Sequence, residues 1–244
     1  MSMRPKTFKA GPLTVHVVDL TDEPPEGLVV LAHGFGAPGT DLVPLAAEIA
    51  SLSSGLPKLR FVFPEAPLDL ADIGYWGARA WFPIDMEELL SEGRTGRTER
   101  LAATEPPGLA DARKALAKTV DALLIDAKLP WSRLVLGGFS QGAMVALDLA
   151  LRSEEAPAAV VAYSPTLVDR ATWERRAALR QGLPVLISHG RQDAILPFAA
   201  TEGLVSLLTE QGLEVEFRPF DGPHTISADA LERTVELLIR FRPG

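Results

Sequence analysis

The chain contains no cysteine. Disulfides, thiolate metal sites and a thiol nucleophile are therefore excluded together. Aromatic residues are sparse, at 7% of 244 positions, and there are only 4 histidines, so a candidate base can be sought by elimination. Basic residues are outnumbered, 24 Lys and Arg against 32 Asp and Glu, for a formal charge of −8 without any lysine or arginine run. Such a surface repels nucleic acid and anionic membranes. No apolar run approaches the roughly 18 residues of a membrane span. The segment from Met1 to Gly11 is polar and basic with no apolar stretch behind it, so no signal peptide and a cytoplasmic location are expected. The expected partner is a small molecule, with no nucleic acid and no integral membrane association.

What is present is an apolar fraction of 47%, enough for one sizeable core, and a single domain over residues 1–244 is expected. Short apolar runs alternate with amphipathic segments, the pattern of a mostly parallel sheet covered on both faces. Strands are expected near 13–19, 27–33, 59–63, 133–138, 158–163, 183–188 and 214–219, and helices near 40–53, 108–127, 141–152, 170–180, 198–211 and 227–240. Thr40 or Asp41 is expected to cap the first helix and Ser227 the last.

The most informative stretch is Gly138-Phe139-Ser140-Gln141-Gly142, between the apolar Leu134-Val135-Leu136 and the helix-forming run from Ala143 to Leu147. A G-x-S-x-G turn between a buried strand and a helix holds the serine hydroxyl exposed on a strained backbone. A serine hydroxyl is a weak nucleophile at neutral pH, so it needs an imidazole to take its proton and a carboxylate to orient that imidazole. In α/β-hydrolases these follow in the order serine, acid, histidine. Leu183 to Ser188 forms a strand candidate followed by His189-Gly190-Arg191-Gln192-Asp193, and the strand from Glu214 to Arg218 runs on to Asp221-Gly222-Pro223-His224. Asp193 is the acid candidate, with Asp169 and Asp221 as rivals. His224 is the base candidate: His16 lies inside an early strand, His33 comes too early in the order, and His189 shares a loop with the acid and is expected to shape it.

His33-Gly34-Phe35-Gly36-Ala37 follows the strand that would carry an oxyanion loop. Its backbone matters more than its side chains, since two amides aimed at a developing oxyanion are worth about 3 kcal/mol per donor. The N–H groups of Phe35 and Gln141 are the candidate donors. The loop lacks the third glycine of a dinucleotide fingerprint and the Gly-Lys-Ser/Thr of a P-loop. Residues 68–107 break the alternation and are expected to form an irregular insertion: Trp76, Trp81 and Phe82 are expected to wall an acyl pocket, with Leu196 also binding substrate, and Glu87 to Arg100 to form a partial lid. Arg94, Arg97 and Arg100 are expected to be a solvated surface rather than a head-group site.

Taken together, the chain resembles the phospholipase/carboxylesterase family of α/β-hydrolases, which includes the acyl-protein thioesterases. The resemblance rests on Leu31-Ala32-His33-Gly34-Phe35-Gly36, Phe63-Pro64-Glu65-Ala66-Pro67, Arg79-Ala80-Trp81-Phe82, Gly137 to Gly142, Pro184 to Asp193 with Ile195-Leu196-Pro197, and His224. It implies an α/β-hydrolase fold with a central sheet of about seven strands, a triad of Ser140, Asp193 and His224, oxyanion amides from Phe35 and Gln141, and Trp81 lining the acyl site. It implies two-step ester hydrolysis with no metal or organic cofactor, and a possible homodimer. Two departures leave the subgroup open: Ala37 stands where relatives often have aspartate, and Thr225-Ile226-Ser227 follows the histidine where a proline and an acid are common. A short- to medium-chain ester, a thioester or lysophospholipid, and a non-catalytic binding role are the three readings carried forward.

Overall fold

The computed structural model describes residues 5–95 and 99–240. Eight strands form one sheet, β1 (Lys6–Ala10), β2 (Leu13–Asp19), β3 (Gly27–Ala32), β4 (Leu59–Pro64), β7 (Leu134–Phe139), β8 (Ala159–Tyr163), β9 (Pro184–Gly190) and β10 (Glu214–Phe220), in the order β1-β2-β4-β3-β7-β8-β9-β10. A separate antiparallel pair, β5 (Leu68–Asp69) and β6 (Arg79–Ala80), lies in the insertion. From β4 to β10 neighbours in the main sheet run parallel, whereas β1 and β2 pair antiparallel with each other and β2 antiparallel with β4. This is the α/β-hydrolase fold. The expected strands are all found, and one more, β1, extends the edge.

The central strands read as continuous apolar runs because both faces are covered. Along β3, Leu28, Val30 and Ala32 face one core while Val29 and Leu31 face the other. The same alternation recurs on β7, with Leu134 and Leu136 against Val135. The first core takes in α4 (Leu109–Ala127), α5 (Gln141–Arg152), α6 (Arg170–Ala177) and α7 (Phe198–Glu210); the second takes in α1 (Pro44–Leu52) and α8 (Ala228–Arg240). Burying each large aliphatic side chain contributes about 1.5–3 kcal/mol, so these faces dominate the favourable side of folding.

Helix α5 is buried from Gln141 to Leu151. Within it sits Asp148, fully buried, which accepts from Arg113 Nη1 at 2.5 Å, Arg152 Nε at 2.7 Å and Trp173 Nε1 at 2.9 Å. Three donors satisfy a carboxylate that would otherwise be prohibitive to bury.

Two local expectations turn out differently. Neither Thr40 nor Asp41 caps α1: the helix begins at Pro44 after Val43 with no side-chain cap, since Pro44 has no N–H and the Leu45 and Ala46 N–H groups go to the Leu42 and Val43 carbonyls. Ser227 does cap α8, accepting the Ala230 N–H at 3.2 Å. The insertion is more regular than expected, carrying the β5–β6 pair, a 3-10 turn at Ala71–Ile73, α2 (Met86–Thr95) and α3 (Glu99–Ala103). Arg97, within the expected lid, lies outside the described residues, as do the side chains of Arg94 and Arg100.

Candidate active site

In a parallel sheet the C-terminal strand ends share one edge, and four of them deliver the candidate groups. Phe35 follows β3, Ser140 follows β7, Asp193 follows β9 and His224 follows β10.

Ser140 stands between β7 and α5 with φ 53° and ψ −119°, a left-handed conformation for a residue that carries a Cβ. Such strain costs on the order of 1–3 kcal/mol and persists only where surroundings hold it. Here the Ser140 N–H donates to the Tyr163 carbonyl at 2.8 Å, and the Ser140 carbonyl accepts the Met144 N–H at 3.1 Å. The flanking glycines answer a close approach: a Cβ on Gly138 or Gly142 would run into the Ala32 carbonyl of the neighbouring strand. A Cβ on Gly34 would meet that of Ser140 at 3.5 Å, so the loop carrying Phe35 passes directly over the serine.

That loop is braced from three sides. Buried His33 donates Nδ1–H to the Gly34 carbonyl at 2.8 Å, and its Nε2 accepts the Ala66 N–H at 3.1 Å. Burial pushes its imidazole below the ordinary 6.5, in keeping with a neutral ring that donates once and accepts once. The His33 carbonyl accepts Trp81 Nε1–H at 2.9 Å. The Gly36 N–H donates to the Arg79 carbonyl at 2.9 Å, and the Arg79 N–H to that of Ala37 at 3.1 Å, so β6 carries the loop. The Gln141 side chain completes the brace, its Oε1 accepting the Trp81 N–H at 2.8 Å and its Nε2 donating to the Phe82 carbonyl at 2.7 Å.

These bonds revise the expectation of an aromatic pocket wall. Trp81 and Phe82 are core residues, at 1% and 0% exposed; the Trp81 ring is tied to the His33 carbonyl and the Gln141 amide holds the backbone of both. Trp76 stands in solvent at 86% exposed, on the turn between Gly74 and Gly77 that joins β5 to β6. Leu196 is buried and meets the acid through its backbone.

The acid and base loops are knitted together before any side chain acts. The Arg191 N–H donates to the Phe220 carbonyl at 2.8 Å and the Gln192 N–H to that of Gly222 at 3.0 Å. Gly190 lies so close to the Gly222 and Pro223 carbonyls that a Cβ there would collide with both. Across this seam His224 Nδ1 lies 2.5 Å from Asp193 Oδ2. Asp193 Oδ1 accepts the N–H groups of Ile195 and Leu196 at 2.8 and 2.9 Å. Burial alone raises the Asp193 carboxyl, but donation from His189, His224 and the Leu196 amide outweighs it and holds the group well below the usual carboxylate range. The rivals lie elsewhere: Asp169 accepts from Arg152 Nη2 at 2.8 Å, and Asp221 is exposed, 3.8 Å from Arg191 Nε.

The His224 ring packs on Phe139, centroids 4.7 Å apart, beside the nucleophile candidate. Among the described residues no hydrogen bond joins Ser140 to His224; such catalytic bonds are often long until substrate binds. The sequence did not single out the Gln141 side-chain amide, or Thr201 and Ser164. Ser164, at φ 48°, donates from Oγ to the Thr225 carbonyl at 3.2 Å, tying the base loop to the end of β8. A positive φ on a serine is invisible in sequence.

The chain was then compared with known proteins. The sequence profile of the phospholipase/carboxylesterase family matches residues 13–239. Acyl-protein thioesterase 1 homolog 1 of Dictyostelium discoideum is 26% identical over 219 residues, 88% of this chain and 90% of that one. Among solved structures, esterase PE8 superposes with a TM-score of 0.76 at 28% identity, covering 99% of this chain and 100% of the other. The Bacillus cereus carboxylesterase shares the fold, with a TM-score of 0.67 at 20% identity over 94% of this chain and 95% of its own. With that family's profile spanning nearly the whole chain, and esterase and thioesterase relatives aligned along most of it, the chain belongs to the phospholipase/carboxylesterase family and is a serine esterase.

Proposed function

We propose that the chain hydrolyses short- to medium-chain monoacyl esters through an acyl-enzyme formed on Ser140. His224 removes the Ser140 proton as the oxygen attacks the ester carbonyl, Asp193 steadies the imidazolium, and the amides of Phe35 and Gln141 hold the oxyanion. The alcohol leaves with the proton from His224; water then enters by the same route, giving its proton to His224, and the acid is released as Ser140 recovers its hydrogen. No step calls on a metal or an organic cofactor.

The observation that carries this reading is the 2.5 Å contact of His224 Nδ1 with the buried Asp193 carboxylate, whose donors keep it ionised. An ionised acid at Nδ1 fixes the tautomer that leaves Nε2 free to accept the serine proton. The strained Ser140 backbone and the braced Phe35 loop support it from the opposite side.

Intact mass after incubation with a serine-directed fluorophosphonate tests the reading: one adduct on Ser140, lost in Ser140→Ala and in His224→Ala, is expected. Labelling that persists in Ser140→Ala overturns it. A thioester is the second reading, favoured by the printed name of the Dictyostelium relative. Matched oxygen and sulfur esters of rising chain length, compared by kcat/KM, decide between the two.

A further inference from the structure

His189 is fully buried at the end of β9, behind the acid and away from the reacting groups of the proposed mechanism. Its Nε2 lies 3.1 Å from Asp193 Oδ2 and 2.9 Å from the Leu196 carbonyl oxygen. Both are acceptors, the carboxylate because its donors keep it ionised. A ring nitrogen facing two acceptors carries a proton. On the other side of the ring, Nδ1 lies 2.8 Å from Thr201 Oγ1, and that hydroxyl is also 2.7 Å from the Pro165 carbonyl. If the Thr201 proton goes to Pro165, Nδ1 is protonated too and the ring is a cation; if it goes to Nδ1, the ring is neutral. In both cases Nε2–H points at the acid.

We propose that His189 is a positioning residue for the acid: it donates Nε2–H to the same Asp193 oxygen that His224 contacts, fixes that oxygen in place and draws off part of its charge, and so sets the basicity of the His224 imidazole. The inference rests on the triad reading above. The carboxylate is clamped between two imidazoles, one packed on Phe139 and one locked by Thr201 on α7. The charged and titratable surroundings are few. From the acid loop, the Arg191 guanidinium lies over the Phe198 ring, 4.9 Å from its centroid, and pairs with exposed Asp221; from the base loop there is His224; α7 presents Thr201 and Phe198, neither titratable.

The sign follows from the geometry. Removing the His189 donor leaves more negative charge on Oδ2 for His224, so its imidazolium gains stability and the acidic limb of the kcat/KM profile should move up by about one pH unit. Loss of a buried bond to a charged acceptor should also lower kcat about ten- to hundredfold, with KM little changed.

The experiment compares wild type, His189→Leu, His189→Gln and Thr201→Val by kcat, KM and pH profile, with nitrogen NMR of labelled histidine on the wild type. Expected are a proton on His189 Nε2 under the assay conditions, an upward shift in His189→Leu, near-complete rescue in His189→Gln, whose amide donates from the same place, and a smaller upward shift in Thr201→Val. An unprotonated Nε2, or a His189→Leu enzyme with kcat and profile within twofold of wild type, overturns the proposal. If His189→Leu fails to fold, the other two variants decide: a shifted glutamine variant or an unshifted valine variant overturns it. Asp193→Asn is the control that separates the two readings. If that substitution is harmless the triad reading itself fails; if it abolishes turnover while the His189 variants behave as wild type, only this inference does.

Discussion

Ser140→Gly and Ser140→Ala both delete the hydroxyl, yet only glycine also releases the backbone. At φ 53° and ψ −119° an alanine keeps the Cβ and hence the strain of the native turn, on the order of 1–3 kcal/mol. Glycine removes it but gives the unfolded chain more freedom, a loss of about 0.5–1 kcal/mol. Taking the middle of each range, the difference leaves Ser140→Gly more stable than Ser140→Ala by about 1 kcal/mol. No side-chain capping bond complicates the comparison, since Ser140 makes none to α5. For a chain of this size one kcal/mol moves the midpoint by about 2–4 °C, so the glycine variant should melt roughly 2–4 °C above the alanine variant. Differential scanning calorimetry on both, with urea midpoints as a check, measures it. A glycine variant that melts at or below the alanine variant refutes the argument that the elbow stores strain.

Three further outcomes are expected. Asp193→Asn should lower kcat on the order of 10⁴-fold, by the behaviour of other triads, while Asp169→Asn should leave kcat near wild type and lower only the melting midpoint; steady-state rates on one p-nitrophenyl ester check both. Gln141→Leu strands the Trp81 N–H and the Phe82 carbonyl in the core, so it should destabilise by about 2–6 kcal/mol at about 1–3 per orphaned group, read from urea denaturation. His33 is held neutral by burial with its titration below the ordinary 6.5, so the folded state resists a proton that the unfolded chain accepts. Its contribution to stability is complete above about pH 6.5 and is lost as pH falls through the lowered value, and melting curves from about pH 7 to 5 should fall less steeply in His33→Gln.

The elements easiest to anticipate were those whose apolar pattern is also their burial pattern. Strands β3 and β7, and β9 as far as Ile187, carry no polar side chain because helices cover both faces, and α5 follows its glycine-flanked serine without ambiguity. Strand β1 escaped because Lys6-Thr7-Phe8-Lys9 is an exposed edge with almost no apolar signal; it is held by pairing with β2. The start of α1 was misjudged because proline, not a capping side chain, opens the helix. Loop order was enough to nominate Asp193 and His224, since strands alternate regularly enough to be counted. The backbone of Trp81 and Phe82 is held instead by a side-chain amide 60 and 59 positions away, that of Gln141, and no local pattern encodes that. The same holds for His189, whose partner Thr201 comes from a different helix.

The backbone seam between the loops after β9 and β10 has a consequence for how this site can change. Carboxylate and imidazole are mounted on one prefabricated block, welded by main-chain bonds. Variation aimed at new substrates therefore has a natural home elsewhere, in the exposed turn that bears Trp76, where residues can be rebuilt without disturbing the proton-handling half.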